Sequence, residues 1–106
     1  MKKLFISQPM GGKTDKEILE ERQKAIEAAQ KLIGESVEAI DSFFEDDPPE
    51  DIKSRGVWFL GKSLELLAGA DIAYFAKGWQ DARGCKIENT CAIEYGIPVI
   101  EDYTAE

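Results

Sequence analysis

Histidine is absent from all 106 residues, and that removes both proton relays built on an imidazole and histidine-ligated metal centres. Cysteine is almost as scarce. Cys85 and Cys91 are the only two, too few for a cysteine zinc cluster and wrongly spaced for a C-x-x-C redox pair, so reduced structural thiols are expected. Cys85 follows a glycine at a predicted helix start, a position that can lower a thiol pKa. The residue six further on is Cys91, however, not the arginine a thiol phosphatase needs. Long apolar runs are missing too: none approaches the ~20 residues of a membrane span, and the opening MKKLFISQP lacks the apolar stretch of a signal peptide. A cytoplasmic protein with no membrane partner is the expectation. Positive charge is outweighed, with 13 Lys and Arg against 21 Asp and Glu, for a net charge of -8. Such a chain repels a phosphate backbone and is not expected to bind nucleic-acid polymers, although a small anion can still bind locally.

What is present fits one small folded domain over residues 1–106. Hydrophobic residues make up 43% and charged residues 32%, ordinary globular usage that excludes a disordered tail or a fibrous repeat. Residues 2 to 6 read as a strand. Thr14 with Glu17 three residues later forms a capping box, after which Ile18, Leu19, Ala25, Ile26, Ala29, Leu32 and Ile33 recur at helical spacing until Gly34. Residues 36 to 40 form a second strand. Glu45 to Asp51 then packs five carboxylates and two prolines into a solvated loop. Val57, Leu60, Leu64, Leu67 and Ala68 mark a second helix ending near Gly69, and Asp71 to Ala76 a third strand. Residues 85 to 95 read as a helix capped by Gly96, and Ile97 to Ile100 as a fourth strand. Alternating strands and helices predict a parallel sheet of about four strands in a three-layer α/β domain, Rossmann-like or flavodoxin-like. A sheet this small has exposed edges, so a homo-oligomer of two or more copies is expected. The succession Val57, Trp58, Phe59, Leu60 is the expected contact.

Open parallel sheets bind ligands at the carboxyl ends of their strands. Three loops lie there: Ser7 to Lys13, Asp41 to Asp51, and Lys77 to Gly84. The first, SQPMGGKT, sets Gly11 and Gly12 before a helix N-terminus, where free N–H groups attract an anion and Lys13 adds charge. Its end imitates a P-loop, but Ser7 stands where the first glycine belongs. A plain structural turn is the competing reading. Asp41 is placed to meet a sugar hydroxyl or a base, or only to cap the turn that follows. Trp79, Phe43 and Phe44 lie where they can stack a base, or serve as core or rim aromatics. Arg83 is placed to pair with a phosphate.

Glu88 lies in the first turn of the helix predicted to begin near Gly84, where the dipole keeps a carboxylate ionised. An ionised carboxylate at the strand tips can attack an anomeric carbon or stabilise an oxocarbenium-like transition state. An ordinary helix-start glutamate is the alternative.

The chain resembles the nucleoside 2-deoxyribosyltransferase-like superfamily over nearly its whole length. FISQPMGG matches the strand and glycine-containing loop of that superfamily, and Gly84, Glu88, Ala92, Tyr95, Gly96 and Pro98 match the spacing of its later motif. FISQPMGGK is also similar to the phosphate-binding loop of the deoxyribonucleoside 5'-monophosphate N-glycosidases. The resemblance implies that Glu88 is the nucleophile, that Ser7, Gln8, Gly11, Gly12, Lys13 and Gly84 frame the substrate, and that no metal or cofactor is required. It implies cleavage or exchange of an N-glycosidic bond in a deoxyribonucleoside or its 5'-monophosphate. Where the superfamily has an aspartate, about eight residues before the strand opening at Asp71, this chain has Ser63; Asp81 or Glu65 is the expected substitute. Asp71 itself is expected to be structural. The alternative function is a nucleotide-binding or sensing module without turnover.

Overall fold

Strand β1 (Lys2–Ser7) lies at the centre of a sheet whose order is β2-β1-β3-β4, with β2 at Val37–Ala39, β3 at Ile72–Phe75 and β4 at Val99–Glu101. All three pairings are parallel. The computed structural model describes residues 1–41 and 47–104. Its three helices, α1 (Asp15–Ile33), α2 (Arg55–Leu67) and α3 (Arg83–Glu94), each connect one strand to the next. This is the small three-layer α/β fold expected of the alternating pattern.

Period-two alternation along β1 divides the core. Leu4 and Ile6 join Ile72, Tyr74 and Ala76 beneath α1, whose Ala25 and Ala29 are fully buried against them. Phe5 points the other way, to Ala73, Phe75, Leu67 of α2, and Cys85 and Ala92 of α3. Alanine at 25 and 29 lets α1 lie close on the strands, where a larger side chain would overpack the layer.

Local signals set the helix ends. Thr14 accepts from the Glu17 amide at 3.1 Å while Glu17 accepts from the Thr14 amide at 3.0 Å, closing the capping box. Gly34, at φ +80°, ends α1 in the left-handed region. The second helix starts two residues earlier than its apolar pattern indicates, because the Ser54 hydroxyl caps it through the Val57 amide at 3.2 Å.

The apolar run on α2 is less open than expected. Val57 is 68% exposed, but Trp58 and Phe59 are half-buried and pack edge to face at 5.0 Å. Lys62 covers the Trp58 ring and Arg55 the Phe59 ring. Among the described residues no helix is long and apolar enough to cross a membrane.

Candidate functional site

The strand order reverses between β1 and β3, and a cleft of about 300 Å³ opens at the carboxyl end of β1. Ser7 and Gln8 bring the end of β1 to it, and Asp41 the chain just past β2. Ile18 and Arg22 project from α1, Ser63 from α2 and Glu88 from α3, while Met10 closes one side. All three layers therefore contribute a wall, as at a sheet's switch point.

Glu88 is the centre of this arrangement. It is 8% exposed, and its Oε1 accepts a 2.6 Å hydrogen bond from the Ser7 hydroxyl. Ser7 is itself 3% exposed and held in the ladder, where its carbonyl accepts from the Ala76 amide at 2.9 Å. Burial raises the Glu88 carboxyl above its ordinary value, and hydrogen bonds from Ser7 and Ser63 only partly offset it. That corrects the sequence expectation. Glu88 is the sixth residue of α3, beyond the first turn where the helix dipole acts strongly, so desolvation outweighs the dipole. Its neighbour Asn89, 6% exposed, donates from Nδ2 to Glu101 Oε2 on β4 at 2.8 Å.

Five of the residues singled out in the sequence, Ser7, Gln8, Asp41, Ser63 and Glu88, line this one cleft. The others do not. Asp81 is exposed at the end of a 3₁₀ turn, Trp79–Asp81, and is not among the residues lining the cleft. Glu65 is exposed and pairs with Lys62 at 3.8 Å. Neither takes the place of the expected aspartate, and the second carboxyl in the cleft belongs to Asp41. Trp79 is 8% exposed and packs between Phe75 and Tyr103 as a core ring, unavailable to stack a ligand. Arg83 and Gly84 open α3 outside the cleft walls. Phe43 and Phe44 lie outside the described residues.

The glycine turn also departs from expectation. Gly11 and Gly12 are exposed, with Gly12 at φ +76°, and only Met10 of that turn reaches the cleft. Lys13 instead borders a separate polar groove with Glu17, Glu20, Glu21, Lys24 and Lys77. The N-terminus of α1 is occupied by its own capping box, with Asp15 and Glu17 in the first turn. Cys85 is buried and its thiol is pushed up by desolvation, the inert structural role expected. Asp71 accepts from the Lys3 amide at 2.7 Å at the far end of the sheet, a structural role.

One cleft residue, Arg22, carries a signal the sequence expectations did not use. Arg22 falls in a charged run, Glu20 to Lys24, that reads as a solvated face, yet Ile18, Arg22, Ala25 and Ala29 follow i, i+4, i+7, i+11. That spacing sets the arginine on the inward stripe of α1. Ser63, noted in the sequence for standing where an aspartate was expected, lies between Leu60 and Leu64 on the inward face of α2. No protein-family model matches the chain, and neither does a curated protein or a solved structure.

Proposed function

We propose that the cleft binds a deoxyribonucleoside or its 5'-monophosphate and that Glu88 acts on the N-glycosidic bond. The observation that carries this reading is the buried Glu88 carboxyl, fixed by Ser7 at 2.6 Å in a cleft at the strand tips. A carboxylate so held spends little energy on reorientation when it meets an anomeric carbon. Its oxygen forms the new bond to the sugar as the bond to the base nitrogen breaks, and the departing base takes a proton. Asp41, the second carboxyl at the cleft, is the donor in this scheme. Water then adds to the sugar carbon, or an acceptor base does, and Glu88 leaves as the carboxylate. The likeness of FISQPMGG and of the Gly84 to Pro98 spacing to deoxyribosyl-transferring enzymes supports the same chemistry.

Ser63 favours a second reading. It bears on Glu88 as a neutral hydroxyl where the enzymes this chain resembles have a carboxylate, and a buried acid without that partner suits a binding or sensing module that performs no turnover. Chromatography of the four common deoxyribonucleosides and their 5'-monophosphates after incubation with the protein separates the two. Base release that disappears in Glu88→Gln supports the glycosidic reading. Release that persists in that variant assigns the nucleophile elsewhere, and none from the parent leaves the binding module.

A further inference from the structure

We propose that Arg22 of α1, not the glycine turn after β1, anchors the anionic end of the ligand in this cleft, as a phosphate clamp in the nucleotide case. The proposal rests on the reading that the cleft takes a nucleoside-type molecule. Arg22 is half-buried at the cleft wall, and its Nη1 donates to Gln8 Oε1 at 3.5 Å, a long bond to a neutral acceptor. Among the described residues no ion pair joins it to a carboxylate, in a chain carrying 21 of them. A guanidinium offers five N–H donors in a planar fork that matches a phosphate or carboxylate in pairs. Gln8 steadies that fork and leaves most of it unused.

The competing anchor is poorly suited. The Thr14 and Glu17 amides at the start of α1 are engaged in the capping box, Asp15 and Glu17 add negative charge at that end, and the groove that Lys13 borders sets three glutamates against Lys13, Lys24 and Lys77. The lysine charge there is already offset by neighbouring carboxylates. Within the cleft Arg22 comes from α1 and Glu88 from α3, helices on opposite faces of the sheet, so the two groups enter from different walls. The whole cleft, about 300 Å³, is at the small end for a ligand site, which suits one small molecule rather than a polymer segment.

Calorimetric titration tests this with 2'-deoxyadenosine 5'-monophosphate and 2'-deoxyadenosine as probes, on the parent chain and on Arg22→Gln, Arg22→Lys and Lys13→Gln. The parent is expected to prefer the monophosphate. Arg22→Gln should weaken the monophosphate about ten- to a hundredfold and leave the nucleoside unchanged, as loss of a charged hydrogen-bond pair does. Arg22→Lys should fall between, and Lys13→Gln should match the parent. A parent that binds both probes equally, or neither, overturns the proposal, as does a monophosphate preference lost in Lys13→Gln and kept in Arg22→Gln. Thermal melts verify that each variant is folded; should Arg22→Gln not fold, the parent preference and Arg22→Lys still decide. Base release measured on the same samples keeps the two ideas apart. Arg22-dependent binding without release retires the glycosidic reading alone, and release with an unchanged probe ratio retires the anchor alone.

Discussion

Glu88 exchanges bulk water for hydroxyls at Ser7 and Ser63, and the exchange has a sign that a melting experiment can read. Its carboxyl is raised above the ordinary value of 4.5, so between 4.5 and the raised value the folded chain holds more protons than the unfolded one. Stability contributed by this group therefore falls as pH rises through that window and is unaffected well below it. Glu88→Gln, which keeps the shape and removes the charge, is expected to melt higher than the parent at pH 7, with the gap closing as pH approaches 4.5. A gap that ignores pH, or one of opposite sign, contradicts burial as the cause. Asp102 gives the converse case. Burial opposes its ionisation, but hydrogen bonds from Lys24 at 2.9 Å and from Thr104 bring it down to about 2 from 3.8. Its contribution is present above pH 3.8 and lost as pH falls toward 2. Asp102→Asn should cost about 1–2 kcal/mol at pH 7, a figure reduced for the half-exposed Lys24, and almost nothing near pH 2 by acid titration of the melting curve.

At the scale of elements, α1 relies on its capping box, and Thr14→Ala should lower stability by about 1 kcal/mol in denaturant titration. An unchanged midpoint would mean that packing of Ala25 and Ala29 alone holds the helix start. The same element illustrates what a sequence can and cannot tell. Caps, glycine stops and period-two runs are local, and they located all four strands and three helices to within a few residues. Lines of sight across the sheet are not local. Gly11, Gly12 and Lys13 carry the residue types of an anion site, yet α1 already uses its own N-terminus and the turn faces solvent. Trp79 follows a strand and reads as a loop aromatic, but a 3₁₀ turn folds it back onto Phe75. Arg22 was legible only as a polar residue on an apolar stripe, a pattern whose meaning depends on which helix ends beside which strand.

For the whole molecule, the net charge of -8 sets the range of ligands. A single guanidinium in a small cleft can hold one anion, whereas an oligonucleotide must approach an acidic surface without the row of cations that releases counterions. No gel-shift is therefore expected with single- or double-stranded DNA at ~0.15 M salt, near the physiological ionic strength where long-range attraction is screened. A clear shift would reveal a basic surface that the charge pattern does not contain. Self-association is a separate expectation, now carried less by Trp58 and Phe59, which cover each other, than by the 68% exposed Val57 and the 84% exposed Tyr95. Light scattering should return a mass of at least twice 11.8 kDa; a value equal to it would make the chain a monomer with the site complete in one copy.

Neighbours 88 and 89 on α3 point about 100° apart around the helix axis, and each grips a different strand: Glu88 holds Ser7 at the end of β1, and Asn89 holds Glu101 at the end of β4. A helix fastened in two directions at one level cannot roll about its axis without releasing both grips together. Its rotation is thus a single cooperative event. Hydrogen exchange should find the α3 amides around these two residues opening as one unit. In Asn89→Ala that unit should open faster while α1, on the other face of the sheet, keeps its rate.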